Sequence, residues 1–592
     1  MSIGGPELKV EYESSSGEKV EKTKAVKPIS KSAVQAVIAP LEQVTAYINP
    51  ENCINCGACR EICPADAIAE NQRIICHGCP ACTDKPGISP QDMDDLATAR
   101  SCTTACPLGI SPQGYLGLTR VGKYDEAFRL IWEKTPLPSV CGSVCHHPCE
   151  EDCKRGILVD EPIAIRGIKK FLAATVATEV DKYNVLYEEK IAIIGAGPAG
   201  LTAGHYLSLA GYEVTVFESA AEAGGMLKRG IPEFRLSRAV VDRDITKLQE
   251  AGLDIRLDFN INKFTLNELK KEYDAIIVAT GAPNSKELQI PGYRLAGVMN
   301  AMNFMEHVNH GMDVRRHLGQ IFKYKDGEAV IIGGSSVAMD VARTAVRVGA
   351  SKVTVVCLES CQDIPAHSWE LDEARAEGIT IIEGYSPIEF QGTVFPELQS
   401  IKFARVTNCG KDDTGRIFFD IDEEDTLVLK ADWAVQAIGQ NPDERWKDLT
   451  DNDIFFAGDL ASNKCSVVDA MASGRKTAIA VDAGLRGRQV KDPMESHDLH
   501  LADVMEKIFP YNRRKTLRPT TPMLDIDDRI ASFDEVEGVL NFEQAQQEVL
   551  SCLSCGFEVV DQEKCIACGV CQKICPKGDV ITMVVKEGGK EQ

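Results

Sequence analysis

Between residue 188 and about residue 490, short apolar, β-branched runs alternate with segments of helical period. That alternation predicts an α/β fold built on parallel sheets. Upstream, from about 91 to 187, the pattern is helical, as in the run QGYLGLTRVGKYDEAFRLIWEK. Residues 1–45 are polar and patternless and read as an extension without a core of its own. A charged, helical connector over 491–550 leads to a compact closing segment, 551–592. One stretch imitates a membrane span, the run IAIIGAGPAGLTAGHYLSLAG from Ile191. Its glycines and proline make it a strand, a turn and a helix instead.

Bulk composition changes this picture in two places. The 592 residues carry a formal net charge of −23, which argues against nucleic-acid and anionic-membrane partners, since phosphates are bound by concentrated Lys and Arg. The opening residues lack the order of a signal peptide, so a cytoplasmic location without membrane insertion is expected. Cysteine is the outlying count: 23 in all, with 13 between Cys53 and Cys153 and 6 between Cys552 and Cys575. A disulfide framework suits small secreted domains, so metal ligation is the expected use.

The first strand expected, Ile191–Ile194, runs into Gly195, Gly197, Pro198, Ala199 and Gly200, and a small-residue helix follows. A second strand, Glu213–Phe217, leads to Glu218. This is a full dinucleotide fingerprint: glycines for the turn, for backbone approach to a pyrophosphate and for helix packing, with an acidic partner for the ribose. A second such unit carries Gly333, Gly334, Ser335, Ser336, Val337 and Ala338 at its turn. Ser335 stands where the second glycine normally sits, and its Cβ is expected to crowd the pyrophosphate. Glu359 ends the following strand, 21 residues after Ala338, with no Arg beside it. A carboxylate there favours NAD(H) over NADP(H), whose 2′-phosphate it repels.

The ordered set GAGPAG, AGGMLKRGIPEFRLSR, VATGAP, GGSSVAMDVARTAVRVGA and FFAGDLASNKCSVVDAMASGRKTA resembles the glutamate synthase small-subunit family. That family includes the iron–sulfur flavoproteins of transhydrogenases and dihydropyrimidine dehydrogenase. The resemblance covers about 95–490. It implies FAD at the first fold, with Gly224, Gly225 and Met226 beside the flavin, Gly281 in the ATG turn, and Gly458 with Asp459 at the ribityl–phosphate region. It also implies a nicotinamide domain inserted within the FAD domain. The expected fold class is therefore α/β, two nested Rossmann-like domains between iron–sulfur modules. The FAD-binding domain is expected in two segments, 188–285 and 431–490, with the NAD(P) domain between them at 286–430. NADPH-using members carry two arginines where this chain has Leu358 and Glu359. Hydride transfer between such cofactors needs no proton-shuttling side chain, so no catalytic acid or base is assigned. No cysteine pair of disulfide-reductase type lies between Gly200 and Gly281.

The cysteines are grouped. Cys53, Cys56, Cys59 and Cys63, followed by Pro64, have the bacterial ferredoxin spacing, and Cys76, Cys79 and Cys82 repeat the two-residue interval within a module at 46–90. A ferredoxin-like assignment gives Cys63, Cys76, Cys79 and Cys82 to one cluster and leaves Cys53, Cys56 and Cys59 in need of a distant fourth ligand. Zinc is the rival, disfavoured by triple runs ending in Cys-Pro. Cys102, Cys106, Cys141, Cys145, Cys149 and Cys153 match the family's helical iron–sulfur domain at 91–187, with Cys141 additional to the commonest pattern. His146 and His147 read as bystanders. Cys552, Cys555, Cys565, Cys568, Cys571 and Cys575 close the chain in a ferredoxin-like module. About three 4Fe-4S clusters are expected near the N-terminus and one or two near the C-terminus. Cys357, Cys361, Cys409 and Cys465 are scattered and read as packing residues.

The function expected is an oxidoreductase subunit moving electrons between NAD(P)H and iron–sulfur clusters through FAD. Other redox subunits or ferredoxin are the expected partners, and electron bifurcation is a further hypothesis. The alternatives are a glutamate synthase small subunit and a non-catalytic electron conduit with a vestigial nicotinamide site, for which Ser335 is the best support.

Overall fold

A computed structural model describes residues 102–120, 122–177, 179–310, 326–359, 364–392, 397–411, 417–446, 449, 451–462, 466–487 and 516–552, with short strands at 11–13, 19–21, 44–48, 68–71, 557–560 and 581–585. The chain divides into two units. The larger comprises Arg100–Met494 and Asn512–Cys552; the smaller holds Met1–Ala99, Glu495–Tyr511 and Leu553–Gln592.

In the larger unit, the first sheet is all parallel, in the order Ile454–Phe456, Ala275–Val278, Lys190–Ile194, Glu213–Phe217, Asp254–Arg256. Its central strand is apolar and buried from Ile191 to Ile194, as a strand covered on both faces must be. The helix Pro198–Ala210 follows its turn directly. Small residues let the helix Val467–Arg486 lie close against it: a Cβ on Gly474 would stand 2.1 Å from the Ala199 carbonyl oxygen.

After Val278 the chain builds a second parallel sheet, ordered Val298–Asn300, Trp433–Gln436, Glu328–Ile332, Lys352–Cys357, Thr380–Glu383. It then returns to the first sheet with Ile454–Phe456. The strict strand–helix alternation expected over 188–490 is interrupted here. Tyr385–Gly392, Leu398–Lys411 and Ile417–Lys430 form an antiparallel meander of three strands. Its first two strands bury Phe390, Leu398, Ile401 and Phe403 in a core shared with the second sheet, while Ile417–Lys430 is largely exposed. The run DIDEED within that strand has no apolar face to anchor a crossover helix.

Helices Pro112–Arg120, Tyr124–Lys134, Pro138–Val144 and Ile165–Thr175 make up the cysteine-bearing helical region. Arg475, from the helix Val467–Arg486, donates to the Leu108 carbonyl and ties that region to the first sheet's layer. The closing segment also belongs to this unit. Its helix Phe542–Ser551 packs on Pro112–Arg120 and Ile165–Thr175. A boundary at 551 places Cys552 with the closing cysteine run, whereas the structure places it against the helical region.

In the smaller unit, strands from the two ends of the chain pair with each other. Val44–Ile48 is antiparallel to Ile581–Val585, and Ile68–Asn71 is antiparallel to Phe557–Val560. Glu11–Glu13 pairs with Lys19–Glu21 inside the stretch expected to be patternless. Among the described residues no helix is long and apolar enough to cross a membrane.

Candidate functional site

The first glycine turn is shaped by sterics. Gly195 has φ +108°, and a Cβ there would meet the Ala279 carbonyl oxygen at 2.6 Å. Gly225 has φ +54°, and its Cα lies over the turn so closely that a Cβ would be 3.0 Å from the Gly197 Cα. Gly200 packs helix on strand, since a Cβ there would collide with the Gly195 oxygen at 1.9 Å. The Gly224 N–H donates to the Ala196 carbonyl at 2.9 Å, which fixes the following loop against the turn. Glu218 is buried beside them, accepting from the Ala196 N–H at 2.8 Å and the Ala220 N–H at 2.9 Å.

These residues open onto a cavity of about 470 Å³. Of the sequence-expected residues, Gly195, Gly197, Pro198, Ala199, Glu218, Gly225, Met226, Gly281, Gly458 and Asp459 line it, and so do Ser336 and Val337 from the second turn. Gly200, Gly224, Gly333, Gly334, Ser335, Ala338 and Glu359 do not line it. Ser335 is the N-cap of the helix Ser336–Arg347, in ordinary extended geometry. Glu359 follows the strand Lys352–Cys357, and its carboxylate comes within 3.1 Å of where a Cβ on Gly334 would stand. The acidic group thus overlies the second turn.

The cavity also reaches the helical region. Ser143, Val144, Cys145, His146 and Arg166 line it opposite the glycine turns. His146 stacks on His367 at 5.5 Å between centroids, and His367 stacks on Trp369 at 4.3 Å, with His147 edge-on to Trp369 at 4.6 Å. This aromatic contact joins the helical region to the second dinucleotide domain. Burial, with nearby Arg166 and Lys169, pushes the His147 pKa down to about 2, so that ring is neutral. The HH pair in a cysteine run carries a signal only when its partners, 220 residues downstream, are known.

Two polar atoms facing the cavity's lining are buried without a protein partner, Thr280 Oγ1 and Asp459 Oδ1. Burial, with Asp469 close by, raises the Asp459 pKa to about 6. A polar ligand chain is what such atoms await. Together with the glycine cradle they fit an extended dinucleotide such as FAD.

Around Lys169 the helical region gathers Cys106, Cys141, Cys145 and Cys149, all buried. Burial raises the Cys106 thiol, takes Cys141 up to about 12 and Cys149 well above its ordinary value, while Lys169 opposes the rise in each. Lys169 in turn is raised, burial being outweighed by the four thiols. Cys141 Sγ lies 3.6 Å from Met471 Sδ and 3.7 Å from Thr135 Oγ1. Cys102 and Cys153 are half-buried. Among the described residues no three His, Cys, Asp or Glu converge as they would on a single metal ion. Cys53, Cys56, Cys59, Cys63, Cys76, Cys79, Cys82, Cys555, Cys565, Cys568, Cys571 and Cys575 lie outside the described residues.

Comparison with known proteins matches separate segments of the chain to separate families. Residues 189–474 match the family described as pyridine nucleotide-disulphide oxidoreductase. Residues 97–180 match dihydropyrimidine dehydrogenase domain II, 4Fe-4S cluster, and 46–69 and 558–579 match the 4Fe-4S binding domain. The β subunit of the NADP(+)-dependent formate dehydrogenase of Moorella thermoacetica is 29% identical over 77% of this chain and 70% of its own length. The β subunit of the NADPH-Fe(3+) oxidoreductase of Geobacter sulfurreducens is 32% identical over 58% of this chain, which spans about half (51%) of that relative. The PreT subunit of the NAD-dependent dihydropyrimidine dehydrogenase of Escherichia coli is 31% identical over 65% of this chain and 91% of its own length. This chain belongs to the pyridine nucleotide-disulphide oxidoreductase family, as an oxidoreductase in which 4Fe-4S domains are joined to the flavin and nicotinamide folds.

Proposed function

We propose that this chain moves electrons between a nicotinamide dinucleotide, NADH in preference, and iron–sulfur clusters through FAD, and passes them to partner redox subunits or ferredoxin. The observation that carries this reading is the shared cavity: the first glycine turn, Ser336 and Val337 at the start of the helix after the second turn, and Cys145 of the helical region all line it. The N–H groups at the start of the helix Pro198–Ala210 would hold the FAD pyrophosphate, Glu218 a ribose, and Thr280 and Asp459 the polar chain toward the flavin. Ser336 and Val337 would meet the nicotinamide dinucleotide, with Glu359 over its adenosine ribose. A bound flavin supplies the exchange between a two-electron hydride and single electrons. The chain's role is to seat it beside Cys145, so that the single electrons have a cluster within reach. Relatives that name NAD and NADP are both present, so the NADH preference rests on Glu359 alone.

The outward route runs to the chain's two ends. Each terminal run has the spacing C-x2-C-x2-C-x3-C-P, in which the fourth cysteine serves the neighbouring cluster. The strand before each run pairs with the strand after the other. We therefore assign Cys63 to Cys565, Cys568 and Cys571, in place of the expected cluster with Cys76, Cys79 and Cys82, and Cys575 to Cys53, Cys56 and Cys59, as one two-cluster unit. This assignment supplies the distant fourth ligand that Cys53, Cys56 and Cys59 need.

The test is anaerobic mixing of cofactor-replete protein with NADH or NADPH while the flavin absorbance is followed. Bleaching by NADH, with slower or no bleaching by NADPH, is expected. Bleaching by NADPH alone overturns the role of Glu359, and bleaching by neither overturns the hydride entry site.

A further inference from the structure

The closing run holds six cysteines, and its ferredoxin spacing uses four of them, Cys565, Cys568, Cys571 and Cys575. Cys552 is outside that pattern. It follows the helix Phe542–Ser551, where the backbone turns extended (φ −63°, ψ 130°), and it is buried.

Two guanidinium groups hold this turn against the helical region. Arg120 donates to the Val549 carbonyl at 2.8 and 3.1 Å and to the Cys552 carbonyl at 3.0 Å. Arg155, two residues after Cys153, donates to the Ser551 carbonyl at 2.7 Å. Arg155 also reaches Asp160 at 2.9 Å and Thr516 Oγ1 at 3.1 Å, and Thr516 Oγ1 lies 2.9 Å from Ser551 Oγ. From the other side, the Ala164 N–H donates to Glu548 at 2.6 Å. The turn is thus locked to the segment that carries Cys153.

We infer that Cys552 is a ligand of a four-iron cluster in the helical region, shared with Cys153 and Cys102. Four further thiols there, Cys106, Cys141, Cys145 and Cys149, are gathered around Lys169. Arg155, two residues from Cys153, bonds the carbonyl of Ser551, the residue before Cys552, so the two cysteines sit on segments held together. Cys102 is the remaining described thiol of the helical region, on the short helix Cys102–Ala105 that packs against Pro148–Glu151. Arg120 and Arg155, the latter also paired with Asp160, bond the backbone carbonyls on either side of this turn and so fix where the Cys552 side chain starts. A cysteine buried only for packing needs neither a second thiol nor two cations at its backbone. The closing segment, which the sequence order separates from this region by the whole dinucleotide fold, would then be a built-in ligand arm.

This inference rests on the reading of the helical region as a cluster domain, and the experiment separates the two. Full-length holoprotein and its variants are compared by iron and sulfide content and by EPR of the reduced protein. Cys552→Ser and Cys153→Ser are each expected to lose about four irons per chain and the same EPR signal. Cys409→Ser, on the exposed meander, is expected to lose nothing. If Cys153→Ser loses a signal that Cys552→Ser keeps, the inference fails and the cluster domain stands. If both keep every iron and signal, the cluster reading of the helical region fails with it. Should Cys552→Ser not fold, Cys552→Asp keeps an oxygen ligand: at wild-type flavin content a shifted signal is expected, and an unshifted one overturns the assignment.

Discussion

Lys169 shows how one side chain answers to its surroundings. A lone ammonium in an apolar interior would be driven toward neutrality by desolvation. Here the negative charge that four neighbouring cysteines carry as thiolates outweighs that penalty and raises its pKa. A positive charge beside a cluster stabilises the reduced, more negative form and so raises its reduction potential. Lys169→Met should therefore lower the potential of the nearest cluster, on the order of 50 mV if one unit charge contributes about 1 kcal/mol. A redox titration followed by EPR measures it, and an unmoved potential would remove Lys169 from this role. Nothing in the sequence marks this residue, which is one lysine in the run IRGIKKFLAAT; only the fold brings it among Cys106, Cys141, Cys145 and Cys149.

At the scale of elements, joints between helices carry buried charge. The helix Arg238–Ala251 buries Asp244 against the N-terminus of Pro138–Val144, where its carboxylate accepts from the Val140 N–H at 3.0 Å. Burial outweighs that bond, those to Ser139 and the nearby Lys247, and raises the pKa from 3.8 to about 7. Below pH 3.8 the carboxyl is protonated in folded and unfolded chains alike and costs nothing. Between there and about pH 7 the folded protein keeps a proton that the unfolded chain has released, so this group's contribution to stability falls as pH rises. Asp244→Asn should flatten that stretch of the pH profile by up to ~4 kcal/mol, read from denaturant melts at pH 4 and pH 7. A profile as steep as wild type would show that the buried carboxyl is not its source. The glycine-turn helices are legible from spacing alone, because a turn, a packing contact and a strand end recur at fixed intervals. The antiparallel meander is not, because its strands are stabilised by a core that the second sheet completes.

Across the whole larger unit, the two dinucleotide layers are clamped by Arg235. Its guanidinium reaches Asp340 at 2.7 Å and Glu370 at 3.1 Å, on the two helices that carry the Arg343–Glu377 and Arg347–Glu377 pairs. Phe234 sits beneath the guanidinium groups of Arg347 and Arg343, 3.8 and 5.0 Å from its ring centre. Arg235→Ala would leave two carboxylates facing each other without their cation. It should destabilise the protein by about 3 kcal/mol, the cost of stripping one partner from a largely buried ionic network. The loss should be larger at pH 8 than at pH 5, where a carboxyl can take up a proton instead. Equal losses at the two pH values would mean that the clamp works through packing.

By itself the sequence determined the parallel α/β class, the two glycine turns with their acidic partners, and the grouping of cysteines, since each is a matter of residue type at short range. Tertiary structure alone decided that strands from both chain ends pair, that Arg120 and Arg155 hold the turn at Cys552 against the helical region, that Cys145 shares a cavity with the first glycine turn and with Ser336 and Val337, and that His146 stacks on His367. These contacts join segments up to several hundred residues apart. Local propensity and spacing carry no information across such distances; the burial of apolar faces and the pairing of charges that burial isolates decide which segments meet.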